Sequence, residues 1–165
     1  MSRKLFIPSE GDWERKQLAQ AYSGWLSNQA VDLFVTLNFN RERNLNGAKH
    51  QYGHWLARID RKYLGRRWCR RGDQRTFAIA IIENPETNIH LHALVRLPQR
   101  ACHMPYPEQA ELLRGFWSEL QPAGSSDVQQ IDYLPPLAGY ICKQLHWRGH
   151  LDNCIIMSSE FHSHG

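Results

Sequence analysis

Residues 89–97, IHLHALVRL, decide how this chain folds. Ile89, Leu91, Ala93, Val95 and Leu97 share one parity, while His90, His92, Leu94 and Arg96 share the other. In a strand successive side chains point to opposite faces, so the first set belongs under a layer of helices and the second on the reverse face. The stretch just before it, residues 76–83 (TFAIAIIE), is apolar enough for a central strand, and NPETN at 84–88 is a hairpin turn between the two. Upstream, residues 31–39 (VDLFVTLNF) alternate in the same way, with Leu33, Val35, Leu37 and Phe39 opposed to Phe34, Thr36 and Asn38. A fourth strand is expected near 127–133.

Helical spacing fills the gaps. Residues 45–64 carry Leu45, Ala48, Tyr52, Trp55, Leu56, Ile59 and Tyr63 as one stripe, closed by Gly65. Residues 107–120 begin with proline and carry Ala110, Leu113, Phe116, Trp117 and Leu120. Two further helices flank this run: residues 10–28, with Leu18, Ala21, Tyr22 and Trp25, and a last one opened by Pro135 and Pro136 and reaching about residue 146. The order helix, β-α-β-β-α-β, helix predicts an α+β fold. Its centre is a ferredoxin-like (split β-α-β) antiparallel sheet with helices on one face and the other face uncovered. The N-terminal helix and a C-terminal helix carrying Tyr140 are added to it.

With 165 residues and 42% of them hydrophobic, the chain suits one domain, 1–165, with a core at about 31–146. No apolar run of membrane-spanning length occurs, and the N-terminus becomes polar too soon for a secretory signal. Cys69, Cys102, Cys142 and Cys154 stand far apart, which argues against a zinc ribbon or a disulfide framework and for a reducing, cytoplasmic setting. A bacterial host is expected, with the nucleus of an infected cell as the alternative. Residues 147–165 suggest no function; within them 154–157 (CIIM) is a candidate edge strand or core dock, and the His162/His164 pair reads as part of an unstructured end.

Charge is unevenly spread. Residues 58–75 hold eight Lys and Arg against two Asp, a net +6, whereas the whole chain has a net charge of +4. Guanidinium groups match phosphate geometry, so Arg66, Arg67, Arg70 and Arg71 beside Trp68 form a candidate nucleic-acid contact; a solvated helix end is the plain alternative.

Two imidazoles at i and i+2 of one strand are close enough to share a cation. Glu83, at the end of the preceding strand, can complete a His-His-carboxylate set with His90 and His92, leaving positions for water and a phosphate oxygen. Glu86 in the turn is a fallback ligand. In the last helix Tyr140, Lys143 and Gln144 stand at i, i+3 and i+4 and share a face. A phenol beside an ammonium and a polarised phosphate is a plausible nucleophile that would form a phosphotyrosine.

FVTLNFN (34–40), HLH (90–92) and YICK (140–143) resemble, in order and spacing, the three motifs of the HUH endonucleases, most closely the single-tyrosine replication initiators of rolling-circle plasmids and small single-stranded-DNA viruses. The resemblance spans about residues 31–146. It implies that His90 and His92 bind Mg²⁺ or Mn²⁺ with Glu83 as third ligand. It further implies that Tyr140 cuts single-stranded DNA to leave a 5′-phosphotyrosine and a free 3′-OH, with Lys143 steadying the phosphate or the attacking oxygen, and Thr36 and Asn38 near the cut. The expected partner is a single strand or hairpin at an origin, with a separate helicase. The metal identity comes from the resemblance; from two imidazoles by themselves a hard octahedral ion is less expected than zinc.

Three other readings compete. A single-tyrosine transposase of the same superfamily draws its third ligand from the position four after the tyrosine, here Gln144. A ferredoxin-like module that binds RNA or DNA without chemistry would stack bases on exposed aromatics, for which Phe34 is the candidate. A zinc hydrolase would join the His pair to Cys102 or His103.

Overall fold

Antiparallel register pairs residues 33–38 with residues 90–95 in the middle of a sheet. The computed structural model describes residues 10–85, 87–146 and 154–162. Its strands are β1 (Leu33–Asn38), β2 (Phe77–Glu83), β3 (His90–Arg96), β4 (Ser125–Gln130) and β5 (Ile155–Met157). They form one five-stranded sheet in the order β4-β1-β3-β2-β5, every neighbouring pair antiparallel. The helices are α1 (Glu10–Ser27), α2 (Leu45–Leu64), α3 (Tyr106–Leu120) and α4 (Leu134–His146). The fold is therefore α+β with an antiparallel sheet, as the sequence predicts.

The described residues fall into two compact units. The larger contains residues 30–132 and 154–162, with the whole sheet, α2 and α3. Its core is the predicted parity set. Leu33, Val35, Leu37 and Phe39 meet Leu91, Ala93 and Val95, and over them lie Ala48, Tyr52, Trp55, Leu56 and Ile59 of α2 and Ala110, Leu113 and Trp117 of α3. Two buried indoles tie these layers with their N–H groups: Trp55 donates to the carbonyl of Leu113 at 3.1 Å, and Trp117 to that of Asn38 at 3.1 Å. The start of α2 is capped by Asn44, whose side chain accepts from Gly47 N at 2.7 Å.

The candidate edge strand at 154–157 is realised as β5, whose Ile156 enters the core opposite Ala80. The turn after it is seated by three contacts. Ser158 Oγ accepts from Ala78 N at 3.0 Å, the Phe161 carbonyl faces the Arg75 guanidinium, and the Phe161 ring lies against Gly53 of α2. A Cβ at position 53 would stand 2.6 Å from that ring, so glycine there is a condition of the close approach. His162, expected in an unstructured end, follows this turn; His164 lies outside the described residues.

The reverse face of the sheet departs from expectation. Phe34, Ile79, Ile81 and Leu94 project there and are buried, so its centre is apolar and closed to water instead of uncovered. Strand parity assigns a residue to a face but does not say whether that face meets water.

The smaller unit contains residues 10–29 and 133–146, where α1 packs on α4. Ala138, Ile141 and Cys142 of α4 and Leu26 of α1 are buried. The α1 stripe read from the sequence is not the buried one: Leu18 and Trp25 are exposed. No helix among the described residues is long and apolar enough to cross a membrane.

Candidate functional site

Antiparallel register builds a polar corner at one end of the reverse face. Opposite one another across the strands stand Ser125, Asn38, His90 and Glu83 in one row, and Asp127, Thr36, His92 and Ile81 in the next. Partners in such rows share a face, so the sheet brings five of the residues singled out by sequence (Thr36, Asn38, Glu83, His90 and His92) into one corner.

His92 is the most constrained of them. Its Nε2 lies 2.6 Å from Glu83 Oε2, its Nδ1 lies 3.1 Å from Thr36 Oγ1, and its ring stacks on Phe34 at 5.7 Å with planes 15° apart. Both ring nitrogens are engaged and the side chain is nine-tenths buried, so the imidazole has one orientation. A carboxylate on one nitrogen and a hydroxyl on the other fixes the tautomer and the orientation of the ring, and a cation bound through Nε2 would take the place of its hydrogen bond with Glu83. Around it, Asn38 and Asn40 both donate to Ser125 Oγ, at 3.2 and 3.3 Å, while Asn38 Oδ1 is buried with no hydrogen-bond partner among the described residues. Asn84, immediately after Glu83, sits at φ 51°, a left-handed conformation that asparagine tolerates better than most residues and that turns the chain at the carboxylate.

The donor set suits a divalent ion in kind, two imidazoles and one carboxylate. Two of the three, Glu83 and His92, are in contact, and His90 stands directly across the strand from Glu83. Ligands about 2.1 Å from an octahedral ion stand about 3.0 Å apart, so the His92–Glu83 pair needs to open by a few tenths of an ångström to hold one. Among the described residues no three His, Cys, Asp or Glu side chains already enclose a common point.

Tyr140 and Lys143 lie on α4 of the smaller unit, three residues apart and both exposed, Tyr140 at 52%. The polar corner and the phenol therefore belong to different units. Gln144 belongs to α4 by its backbone and its side chain lies outside the described residues, as does Glu86 entirely.

The basic segment follows α2 as two short 3-10 turns, Trp68–Arg70 and Gly72–Gln74. Arg66, Arg67 and Arg70 are exposed, and Arg71 is half-buried with a hydrogen bond to Gln74. Arg75 is not a phosphate ligand: it is buried, donates to Asp60 at 2.7 Å and stacks its guanidinium 4.6 Å over Trp68. Asp60 also accepts from Thr76 N and Thr76 Oγ1, at 2.7 and 2.6 Å. This buried cluster, unseen in the sequence because its members look like parts of a charged run, anchors the loop. The loop joins β2 at Phe77 and the polar corner ends β2 at Glu83, so the length of that strand, about 20 Å, separates them.

A cleft of about 960 Å³ opens at the same far end, lined by Arg75, Arg96, Arg100, Cys102 and His103 among others. Cys102 and His103 thus lie beyond the opposite end of β3 from His90, and cannot join the His pair. The zinc-hydrolase reading fails on strand geometry.

Compared with known proteins, the chain matches no family model, no curated protein and no solved structure.

Proposed function

We propose that the chain is a metal-dependent endonuclease that nicks and rejoins single-stranded DNA through a covalent tyrosine link, as an initiator of rolling-circle replication. The observation that supports this reading most is the 2.6 Å contact between Glu83 and His92. The two residues come from different strands, and their proximity lets both reach one cation once the hydrogen bond between them opens. The strand order and directions support the finer fold reading as well, a ferredoxin-like split β-α-β sheet extended by β5 at its edge.

In this reading His90, His92 and Glu83 hold Mg²⁺ or Mn²⁺, which when bound would polarise the scissile phosphate and offset its developing charge. Thr36 and Phe34 keep His92 in the orientation that binding needs, so little is lost to reorganisation. Asn38, with an unmatched acceptor, and Ser125 offer polar contacts beside the cut. Tyr140 Oη attacks phosphorus and loses its proton. The P–O3′ bond breaks and the 3′ oxygen takes up a proton, leaving a 5′-phosphotyrosine and a 3′-OH. Lys143, one turn along the same helix, supplies positive charge to the phosphate or the phenolate. Because one phosphodiester replaces another, the reverse attack by a 3′-OH rejoins the strand.

The whole chain, incubated with Mn²⁺ and single-stranded hairpin oligonucleotides, is expected to give a DNA adduct that survives SDS, and Tyr140→Phe to give none. Lack of any adduct across a varied set of hairpins, or an adduct undiminished in Tyr140→Phe, overturns the proposal. Transposition is distinguished by the third ligand. Glu83→Ala is expected to weaken metal binding and Gln144→Ala to leave it unchanged; the opposite result favours the transposase. The non-catalytic stacking module finds less support, because Phe34 is buried against His92 and offers no exposed ring.

A further inference from the structure

The exposed side of α2 carries a second pair of histidines that the proposed reaction does not use. His50 and His54 are four residues apart, both exposed, with their Nε2 atoms 3.2 Å from one another and ring centroids 4.3 Å apart. We propose that they form a two-histidine chelate for a borderline divalent ion of the Zn²⁺, Ni²⁺ or Cu²⁺ kind, independent of the ion assigned to the sheet corner.

Three observations carry this. The first is the bite: an ion about 2.0–2.1 Å from both nitrogens sees them separated by an angle of about 100°, between the tetrahedral and octahedral values, so the separation of the two nitrogens already suits one ion. The second is rigidity. Positions i and i+4 lie one above the other on a helix, and this helix is capped by Asn44 and buried along its other side by Tyr52, Trp55, Leu56 and Ile59. The backbone spacing of the chelate is therefore set before the ion arrives. The third is charge: the next residue along the stripe, Arg58, is paired with Glu119 of α3, so its positive charge is offset. Two imidazoles and no carboxylate favour borderline ions over Mg²⁺ or Mn²⁺, with water completing the shell. The α2 layer covers the face of the sheet opposite to the one from which His90 and His92 project, so the two sites are separate.

Zn²⁺ titration of the whole chain by calorimetry, with Cu²⁺ electron paramagnetic resonance to count ligating nitrogens, tests this. His50→Ala and His54→Ala are each expected to weaken the same site by at least the roughly tenfold that loss of an outer-shell partner already costs. The double variant is expected to be little worse than either single one; in a His90→Ala background, where the sheet corner cannot supply two imidazoles, the two-nitrogen signal is expected to disappear in all three. His90→Ala is expected to retain the site, and excess Mn²⁺ not to displace Zn²⁺ from it. Alanine is a better helix former than histidine at these exposed positions, so the variants stay folded. Two-nitrogen binding that survives both single substitutions in the His90→Ala background, or that is lost with His90→Ala alone, or from which Mn²⁺ displaces Zn²⁺, overturns the proposal. None of these outcomes depends on whether DNA is cut.

Discussion

Asp60 shows how far a single residue can differ from its appearance in sequence. Set among arginines and lysines, it reads as a solvated charge, yet it is 1% exposed and accepts from Arg75 and twice from Thr76. Removing one partner of a buried pair leaves the other charge without compensation, at a cost of about 3–5 kcal/mol. Asp60→Ala is therefore expected to lower the urea midpoint by that equivalent. Tyr52 is the converse case, since its buried hydroxyl has no hydrogen-bond partner among the described residues. Tyr52→Phe is expected to be neutral or stabilising, by about 1 kcal/mol. Burial also sets the response to alkali. It raises the phenols of Tyr52 and Tyr63 above their ordinary value and pushes the Cys142 thiol up to about 11. The folded chain then holds protons that the unfolded chain releases. The stability these groups contribute is complete below pH 9 and is lost as pH rises through 9 to 11 and beyond. His162 acts on the acid side: burial, reinforced by the Arg75 guanidinium and opposed by Asp60, lowers its pKa. Its contribution is present above pH 6.5 and is lost as pH falls through the lowered value. Urea midpoints from about pH 5 to 11 are expected to form a plateau between those limits, with a shallower alkaline decline in Tyr52→Phe.

At the scale of elements, Gly53 and Phe161 govern how the C-terminal turn sits on α2. Alanine in a helix normally gains about 1 kcal/mol over glycine, but here its Cβ would overlap the Phe161 ring, and overpacking costs about 1–3 kcal/mol. Gly53→Ala is expected to destabilise the whole chain and to become stabilising once Phe161→Ala has removed the ring. A thermal-denaturation double-mutant cycle reads that reversal of sign. The bounds of α2 and the ends of β2 at Glu83 and α3 at Leu120 were legible in the sequence, because apolar period, proline and glycine punctuate them. The inward side of α1 was not: Leu18, Ala21, Tyr22 and Trp25 keep helical spacing, yet Leu26 is the buried residue. A stripe states that a helix has an apolar side; what packs on it decides which residues are covered.

Across the whole molecule, the polar corner and the basic loop lie at opposite ends of β2, and this separates two ways of touching a nucleic acid. If the corner cuts and the loop grips a stem, substitutions in the loop change affinity and leave the chemistry intact. Neutralising Arg66, Arg67, Arg70 and Arg71 together is expected to flatten the dependence of log K on log salt by up to about 0.9 for each phosphate that is no longer neutralised, with unchanged single-turnover cleavage at saturating DNA. An unchanged slope in fluorescence-anisotropy titrations would make the loop a mere surface. Of the candidate site, His90, His92, Thr36 and Asn38 were legible as residues of one face, since two-residue periodicity reports parity directly, and Glu83 was legible only as a carboxylate out of place at the end of an apolar strand. The His92–Glu83 and His92–Thr36 contacts, the closed apolar centre beside them, and the His50–His54 pair were not, because each depends on register or rotamer.

The sequence by itself determined the helices and the first three strands, their order and, in β1 and β3, the face on which each residue projects, since these follow from local periodicity and from the conformational limits of proline, glycine and asparagine, whereas β4, expected near 127–133, is Ser125–Gln130. Tertiary structure decided which charges are buried partners, where β5 and the Phe161 turn attach, and which imidazole meets which carboxylate. Those are distances of a few ångströms between residues far apart in the chain, and they come into being only when strand register and side-chain packing are set together.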